Sequence, residues 1–277
     1  MAKRITSTVV LWLAVLAVLW FYRTTGAIVV TVAMSVLTLR ELYKMMAAAQ
    51  DAPFAGLGLL FGALVTLAPW AEARYGLPAH PLIALAAVVF AVRMLLERAP
   101  EKRVEALTST LFGLVYVCLC LSYLVRILTP QAGDTLSADA RLVLCLWVVA
   151  AAKFCDVGAL LVGLAVGRTK MAPSISPKKT WEGAAGGVIV AMGIGALVAW
   201  LGRGVLPAAF GPARAALLAA PLAVVAIISD LVESVLKRRA ALKDSGGGVP
   251  GIGGIFDLTD SLVLAAPVGY FLLQRYG

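Results

Sequence analysis

The chain has 277 residues, of which 61% are apolar and only 14% are charged, and its mean hydropathy is +0.94. This composition excludes a soluble domain, because the surface of a soluble domain of this length needs many more charged side chains. The net charge of +9 is spread over short segments between apolar runs. It therefore offers no soluble basic face, and we expect no nucleic-acid partner.

Apolar runs of the length that a membrane-spanning helix needs, roughly 20 residues, recur along the whole sequence. Because backbone groups inside lipid must hydrogen-bond within the protein, these runs predict helices. The period-two alternation of a β-barrel is absent. The predicted fold is all-α, a polytopic integral membrane protein with about nine transmembrane helices. The predicted spans lie near residues 6–22, 25–43, 54–72, 81–97, 106–128, 141–165, 184–202, 213–236 and 259–274.

Lysine and arginine are distributed unevenly over the predicted loops. If the N-terminus lies inside, the inner loops receive fifteen of these residues and the outer loops receive seven. Such an excess follows the positive-inside rule, and it predicts a cytoplasmic N-terminus and, with nine spans, an external C-terminus. We therefore expect a multi-pass protein of the cell (inner) membrane.

The first apolar run, up to Tyr22, has the character of a signal peptide. A second run follows directly after the segment 23–26, without a convincing small-residue cleavage site, so we expect a retained helical hairpin. The four cysteines fall in predicted spans without zinc-ligand spacing, which favours buried thiols. The only histidine, His80, lies in a short outer loop, which excludes histidine catalysis.

The two halves of the chain differ in where their charges lie. The first half consists of apolar spans joined by short loops, and the polar, turn-rich segment 129–140 is the best boundary between the halves. We therefore divide the chain into N-terminal transmembrane helices, 1–139, and a C-terminal region, 140–277, whose inner loops carry dense polar motifs. The loops 167–183 and 237–257 both belong to the cytoplasmic side, and we expect them to face each other.

Charged residues first enter a predicted span at Lys153 and Asp156, about one helical turn apart. They form either a neutralised intramembrane pair or part of a metal site. The inner loop that follows contains two prolines, which stop helix formation. Its lysines and hydroxyl groups are suited to phosphate oxygens, as point charges and as hydrogen-bond donors. These residues are Ser176, Lys178, Lys179 and Thr180.

Four polar residues at the inner end of the eighth predicted span share one face of a helix. Their offsets of three, four and seven positions place them on a single stripe. The stripe consists of Asp230, Glu233, Ser234 and Lys237. An i,i+4 pair between Glu233 and Lys237 explains two of these residues, but it does not explain a second carboxylate deeper in the membrane. Ionisable groups at this depth are costly and indicate a functional site.

Asp257 and Asp260 lie three residues apart at the start of the last predicted span. A single carboxylate is enough to complement the helix dipole, so a pair indicates a further role. The glycine-rich loop before them lets backbone N–H groups approach an anion. The other polar and glycine residues of this region are Arg238, Lys243, Asp244, Gly253 and Gly254. Clustered carboxylates next to clustered cations predict a divalent metal ion that holds a phosphorylated substrate.

The sequence resembles the bacterial phosphatidate cytidylyltransferases, also called CDP-diacylglycerol synthases. The resemblance rests on residues 176–183, SPKKTWEG, on the segment 230–262 and on residues 156–159, whereas the first half agrees only in hydropathy. The sequence departs from the family at three positions. Val157, Ile252 and Leu258 stand where the family has a hydroxyl residue, a histidine and an arginine.

The resemblance implies transfer of a cytidylyl group from CTP to phosphatidic acid in a membrane, with Mg²⁺ as cofactor. It implies that region 140–277 is catalytic and that its site is cytoplasmic, and it is compatible with a homodimer. The implied metal ligands are Asp156, Asp230, Asp244, Asp257 and Asp260, of which the last four, with Lys237, are also catalytic. The implied substrate-binding residues are Ser176, Lys178, Lys179, Thr180, Glu233, Ser234, Arg238, Lys243, Gly253 and Gly254.

Three alternatives to this function remain open from the sequence. The chain could perform the same transfer on another lipid acceptor, or it could be a degenerate member that binds phospholipid without catalysis. The third alternative is an ion-coupled transporter, whose intramembrane carboxylates would look similar. A transporter does not need the lysine-rich Ser-Pro loop, and it predicts broken helices in two related halves, which the sequence does not show.

Overall fold

The computed structural model describes residues 2–97, 102–131, 133–242, 246 and 253–276, with side chains from residue 17 onward. These residues form helices almost throughout, together with one antiparallel pair of short strands. The helices are α1 (Ala2–Ala48), α2 (Ala55–Tyr75), α3 (His80–Leu95), α4 (Arg103–Gly113), α5 (Cys120–Leu128), α6 (Ala138–Val166), α7 (Trp181–Leu201), α8 (Pro212–Arg239) and α9 (Ile255–Leu273). The other elements are a π-helical segment (Leu114–Leu119), β1 (Lys170–Ala172), β2 (Ser176–Thr180) and a 3-10 turn (Gln274–Tyr276).

Within the described ranges, seven helical stretches are long and apolar enough to cross a membrane. They are Ala17–Ala48, Ala55–Tyr75, Arg103–Leu128, Ala138–Val166, Trp181–Leu201, Pro212–Arg239 and Ile255–Tyr276. The chain is therefore an all-α, polytopic membrane protein, as predicted, but the predicted number of nine spans is not confirmed. The span predicted near 81–97 corresponds to α3, whose 16 residues are fewer than a spanning helix needs.

The first two predicted spans, 6–22 and 25–43, correspond to α1, which is interrupted at Arg23. The backbone there is not helical, with φ 46° and ψ −126°. A Cβ atom on Gly26 would lie 2.6 Å from the carbonyl oxygen of Val18, although residues with this separation are about 12 Å apart along a straight helix. The chain therefore turns sharply at Arg23.

The helices are divided between two compact units. Unit 1 comprises Met1–Arg126 and Leu236–Thr259, and unit 2 comprises Ile127–Val235 and Asp260–Gly277. Helices α8 and α9 each contribute residues to both units. The polar motifs are consequently shared between the units: the Ser-Pro-Lys-Lys motif and Asp260 belong to unit 2, whereas Lys237 and Asp257 belong to unit 1.

Unit 1 is built on apolar side chains and on paired hydroxyl groups. Its fully buried side chains include Leu39, Leu42, Phe90, Leu114 and Val117. The hydroxyl groups of Ser35 and Thr66 lie 2.8 Å apart, and the Tyr43 hydroxyl donates to the carbonyl oxygen of Thr110 at 2.8 Å. Lipid offers no partner to such groups, so pairing inside the protein is what allows them in spanning helices.

In unit 2, α6 and α7 pack closely against each other through small residues. A Cβ atom on Gly183 would lie 2.7 Å from the carbonyl oxygen of Ala159, and one on Gly187 would lie 2.7 Å from that of Cys155. Residue numbers rise along α7 as they fall along α6, so the two helices run antiparallel. Glycine permits this close approach of two backbones. Like the other three cysteines, Cys155 is a free thiol.

The segment before α6 is fixed by an ion pair and a helix cap. Arg141 donates to Asp134 at 2.9 and 2.7 Å, and the Ser137 hydroxyl accepts the N–H of Ala140 at 3.1 Å. Burial acts to raise the pKa of Asp134, but the hydrogen bonds from Leu136 and Arg141 outweigh it and hold the pKa below the usual value. Helix α6 therefore begins at Ala138, three residues before the predicted apolar span.

Candidate active site

The segment between α6 and α7 forms a β-hairpin that carries the lysines of the Ser-Pro-Lys-Lys motif. Strand β1 pairs with β2 so that Lys170 lies opposite Thr180 and Ala172 lies opposite Ser176. These strands are not among the predicted elements, because they are short and Pro177 interrupts any alternating pattern. Proline is tolerated here because a two-stranded sheet consists of edge strands.

Three hydrogen bonds fasten the end of this hairpin to the start of α7. The Thr180 hydroxyl accepts the N–H of Gly183 at 3.1 Å and so caps the helix. The carboxylate of Glu182 accepts the backbone N–H groups of Arg168 at 3.2 Å and Thr169 at 3.1 Å. These hydrogen bonds connect the first turn of α7 both to the end of β2 and to the segment before β1. They therefore fix the hairpin, and with it the lysines of β2, at the start of α7.

The two lysines of β2 have different surroundings. Lys179 forms an ion pair with Asp230 of α8, and its side chain is 23% exposed. Lys178 is exposed to solvent. Both lysines line the same cavity, but the ion pair fixes only the ammonium group of Lys179 relative to α8.

Three carboxylates converge in unit 2 from α8 and α9. One carboxylate oxygen from each of Asp230, Glu233 and Asp260 lies within 4.8 Å of the other two. Glu233 is fully buried, whereas the aspartates are partly exposed. Asp230 and Glu233 share a face of α8 as predicted from their spacing, and the structure adds Asp260 to them from a different helix.

A serine joins α8 to α9 next to these carboxylates. The Ser229 hydroxyl is fully buried and donates to the backbone carbonyl oxygen of Asp260. The same hydroxyl oxygen accepts the N–H of Leu264 at 3.2 Å. This pair of hydrogen bonds fixes the first turn of the unit 2 part of α9 against α8, and it thereby sets the position of the Asp260 side chain.

A lysine of α6 contacts the same group of carboxylates. Lys153 Nζ lies 3.0 Å from Asp260 Oδ1 and 3.6 Å from Asp156 Oδ2. The sequence predicted Lys153 and Asp156 as neighbours, and it left open whether they form a pair or part of a metal site. In the structure they form a pair, and Lys153 also reaches Asp260.

A cavity of about 560 Å³ lies beside these groups in unit 2. Its polar wall consists of carboxylate, ammonium and hydroxyl groups, which belong to Asp156, Asp230, Lys170, Lys178, Lys179 and Thr180. Its apolar wall includes Leu160, Leu164 and Ile227. The cavity therefore combines a cationic region, suited to phosphate groups, with an aliphatic surface.

The motif residues of unit 1 form a separate set of contacts. Lys237 Nζ lies 2.9 Å from Asp257 Oδ1, and the N–H of Gly254 donates to Asp257 Oδ2 at 2.7 Å. Gly253 has a φ of +119°, in the region that favours glycine. Asp257 thus caps the start of α9 and binds the last turn of α8 through Lys237.

The remaining predicted residues are placed only in part. Ser234 is partly buried on α8, and Arg238 is exposed in its last turn. Lys243, Asp244 and Ile252 lie outside the described residues, so their predicted roles stay predictions. Of the other two departures from the family pattern, Val157 is exposed on α6 and Leu258 is partly buried on α9.

The contacts of Glu41 and Glu182 are among those that were missed from the sequence. Glu41 of α1, in unit 1, accepts the N–H of Phe256 at 2.8 Å, across 215 positions that no local pattern connects. Glu182 had a local signal, because a carboxylate in the first turn of a helix is favoured by the dipole. That signal does not reveal that Glu182 also holds the segment before β1.

Comparison with known proteins agrees with the features of this site. The family model described as "Cytidylyltransferase family" matches residues 2–276. A phosphatidate cytidylyltransferase of Rickettsia bellii is 31% identical over 199 residues, which cover 71% of this chain and 82% of that protein.

Two further relatives carry the same name. The phosphatidate cytidylyltransferase of Bacillus subtilis is 36% identical over 163 residues, 58% of this chain and 56% of that protein. That of Synechocystis sp. is 40% identical over 129 residues, 47% of this chain and 40% of that protein. In these two comparisons the chain spans about half the length of the relative. Since the family model covers nearly every residue, the chain belongs to the cytidylyltransferase family.

Proposed function

We propose that this protein transfers the cytidylyl group of CTP to phosphatidic acid and so makes CDP-diacylglycerol and pyrophosphate. The observation that carries the proposal is the convergence of Asp230, Glu233 and Asp260 beside Lys179 in a membrane-spanning unit. Such a site is suited to a phosphorylated lipid and a nucleoside triphosphate. The names of the relatives supply the identity of the reaction.

We propose Mg²⁺ as the ion of this site, and the donor atoms fit it. Mg²⁺ binds oxygen at 2.0–2.1 Å, so two ligands of one ion are at most about 4.2 Å apart. The three carboxylate oxygens lie within 4.8 Å of one another, and small side-chain rotations bring them into this range. Asp230, Glu233 and Asp260 would hold the ion, with Asp156 as a further ligand. A bound ion supplies positive charge to the phosphate oxygens.

The lysines of the cavity bind phosphate groups in this proposal. Lys179 is already fixed by Asp230, and Lys170 and Lys178 line the same cavity. Ammonium groups act as point charges toward phosphate oxygens. The exposed side chains of Leu160 and Leu164 form an aliphatic surface beside the cavity, along which acyl chains pack while the headgroup stays among the lysines.

The transfer needs no general base from the protein. An oxygen of the phosphatidate phosphate is already anionic, and it attacks the α-phosphorus of CTP. A new phosphorus–oxygen bond forms while the bond to the leaving pyrophosphate breaks. The residues of the site therefore act by aligning the two phosphates and by neutralising charge. The chain accordingly needs no catalytic histidine.

The other motif residues keep their predicted roles as part of this proposal. Asp244 and Asp257 remain predicted metal ligands. The remaining predicted catalytic or substrate-binding residues are Ser176, Thr180, Ser234, Lys237, Arg238, Lys243, Gly253 and Gly254.

We propose that the site lies on the cytoplasmic side of the inner membrane, where CTP is available. The uneven distribution of lysine and arginine supports this orientation. Ser174→Cys and Ala241→Cys, introduced after replacement of the native cysteines, test it, because both positions are exposed. An impermeant thiol reagent added to intact cells should not label them, but it should do so after lysis. Labelling in intact cells would invert the topology.

The decisive experiment uses purified protein in detergent with labelled CTP, phosphatidic acid and Mg²⁺. We expect labelled CDP-diacylglycerol to form, and we expect EDTA, which removes the divalent ion, to abolish its formation. Arg214→Gln is a matched control, because Arg214 is exposed, its side chain donates to the Ala209 carbonyl oxygen at 3.1 Å, and it does not line the cavity. If product formed with another lipid but not with phosphatidic acid, that lipid would be the acceptor in place of phosphatidic acid. CTP or lipid binding without product from any acceptor would indicate a non-catalytic member.

A further inference from the structure

The end of α6 forms one wall of the unit 2 cavity, and this wall changes from aliphatic side chains to a cation. Leu160 and Leu164 line the cavity one helical turn apart, and they are 61% and 78% exposed. Gly167 and Lys170 continue the same wall beyond the end of the helix. Within the hydrocarbon region, the exposed surface of a spanning helix meets lipid. The cavity therefore has a lipid-facing side along α6, with a cationic segment at its end.

This cationic segment lies at the level where α7 begins. The N–H of Trp181 donates to the carbonyl oxygen of Thr169 at 3.0 Å, and the hairpin register places Lys170 opposite Thr180. Trp181 is 60% exposed. An exposed tryptophan at the end of a spanning helix is typical of the membrane–water interface, at the depth of the lipid headgroups. Arg168 and Lys170 therefore lie at headgroup depth.

The side chains of Arg168 and Lys170 are exposed, and they form no ion pair with any residue that the structure describes. Glu182 contacts this segment through the backbone N–H of Arg168. Lys178, on β2, is two residues before Thr180, which is roughly 7 Å along an extended strand. The hairpin therefore carries cations at two distances from the start of α7, and the nearer pair has no acidic partner among the described residues.

We propose that Arg168 and Lys170 form a headgroup site that binds the phosphate of phosphatidic acid while the acyl chains lie along α6 in the bilayer. The inference deepens the proposed function, on which it rests for the identity of the lipid. A phosphomonoester carries about 1.5 to 2 negative charges at pH 7 and three acceptor oxygens. A guanidinium group binds two such oxygens at once, and an ammonium group acts as a point charge. This site leaves Lys178 and Lys179 to the phosphates of CTP.

Spin-labelled lipids in phosphatidylcholine nanodiscs measure the headgroup preference without CTP or Mg²⁺. The label is placed on an acyl chain of phosphatidic acid, phosphatidylglycerol or phosphatidylcholine, and electron paramagnetic resonance gives the fraction of each lipid that the protein immobilises. We expect the wild type to prefer phosphatidic acid to both other lipids. Arg168→Gln and Lys170→Gln should each lower this preference roughly fivefold, the scale of one basic residue next to anionic lipid.

Two sets of variants separate this site from a general attraction between cations and the membrane. Arg168→Lys and Lys170→Arg keep the charge, so they should retain most of the preference. Arg203→Gln is the matched control, because the Arg203 guanidinium lies 5.3 Å from the ring centroid of Trp200 at the other end of α7. This variant also removes an arginine beside an exposed tryptophan, and it should leave the preference unchanged.

A wild type that does not prefer phosphatidic acid to phosphatidylglycerol, or an equal loss in Arg203→Gln, would overturn the inference. In turnover assays, Arg168→Gln and Lys170→Gln should raise the KM for phosphatidic acid and leave the KM for CTP unchanged. A higher KM for CTP with an unchanged lipid preference would also overturn it, because the two cations would then bind the nucleotide. A preference for phosphatidic acid without any CDP-diacylglycerol from the wild type would refute the proposed function and leave the headgroup site in place.

Discussion

The acidic residues of the two units are arranged in different ways. In unit 2, one carboxylate oxygen from each of Asp230, Glu233 and Asp260 lies within 4.8 Å of the other two. In unit 1, three acidic residues each have a partner of their own: Asp51 with Arg239 at 2.6 Å, Asp257 with Lys237 at 2.9 Å, and Glu41 with the Phe256 N–H at 2.8 Å. Carboxylates that converge from two helices can hold one cation between them, whereas a matched pair holds two elements together. The comparison favours metal binding in unit 2 and chain positioning in unit 1.

The largest effect is expected from Asp260, because it contacts Lys153 and belongs to the converging carboxylates. Asp260→Asn should reduce turnover by at least ~100-fold, the scale of losing one group that stabilises charge in the transition state. Turnover is measured at saturating CTP and Mg²⁺ on equal amounts of folded protein. Asp51→Asn, which breaks a matched pair of unit 1, is the control and should retain most activity. Similar losses in both variants would contradict the comparison.

For Asp257, the sequence motif and the contacts within unit 1 predict different roles. The motif predicts a metal ligand, whereas the contacts with Lys237 and Gly254 indicate a positioning role. We expect Asp257→Asn to lose turnover by about 100-fold, because its replacement releases Lys237, a predicted catalytic residue. Its affinity for Mn²⁺ should fall less than that of Asp260→Asn. If Asp257→Asn and Asp260→Asn lost the same Mn²⁺ affinity, Asp257 would be a metal ligand. Metal binding would then not be confined to unit 2.

The spanning helices were predictable because hydropathy is a property of continuous segments. The predicted spans 141–165 and 184–202 correspond to α6 and α7, but both helices begin three residues earlier, after the polar caps Ser137 and Thr180. A hydropathy window does not register a cap, because the cap acts through one hydrogen bond. The break at Arg23 and the short α3 explain why the sequence predicted helical spans correctly but predicted nine of them, where the described residues contain seven helical stretches long enough to span.

The contacts of the candidate site were predictable only where its residues share a helix. Asp230 and Glu233 are three positions apart, and the helical period places them on one face. The contact between Lys153 and Asp260 joins positions 107 residues apart, and no spacing rule connects them. The spacing of Asp257 and Asp260 and the motif resemblance both indicated Asp260 as a site residue, but neither revealed that a lysine of α6 would hold it.

The lysines of β2 give a sharper comparison, because they are neighbours in the sequence. Lys179 pairs with Asp230, whereas Lys178 is exposed. Lys179→Ala should reduce kcat/KM roughly ten- to 100-fold, since a hydrogen bond to a charged group contributes about 1.5–3 kcal/mol. Lys178→Ala should have a smaller effect, mainly on the KM for CTP. Equal effects would show that the ion pair with Asp230 does not distinguish them.

The smallest effect is expected from substitution of Glu182, which is not among the predicted catalytic or substrate-binding residues. Its carboxylate accepts the N–H groups of Arg168 and Thr169 and so fixes the hairpin that carries Lys179. Glu182→Gln weakens these hydrogen bonds without removing the acceptor oxygen, so the hairpin should remain but should hold its lysines less firmly. We expect the KM for CTP to rise roughly threefold, because exposed hydrogen bonds make modest net contributions, and kcat to change little.

A matched control separates this positioning role from a general effect of charge at a helix start. Glu105 also lies in the first turn of a helix, α4 of unit 1, and Glu105→Gln removes the same favourable interaction with the helix dipole. Of these two glutamine variants, only Glu182→Gln should raise the KM for CTP. Glu182→Asp keeps the charge but shortens the side chain. If the length of the side chain matters as much as its charge, the KM of this variant should lie between those of Glu182→Gln and the wild type. A loss of kcat without a change in KM would instead place Glu182 among the groups that act in the transition state. In that case unit 2 would contain a charge-stabilising carboxylate outside its converging group, and the convergence of carboxylates would no longer be enough to identify the active residues.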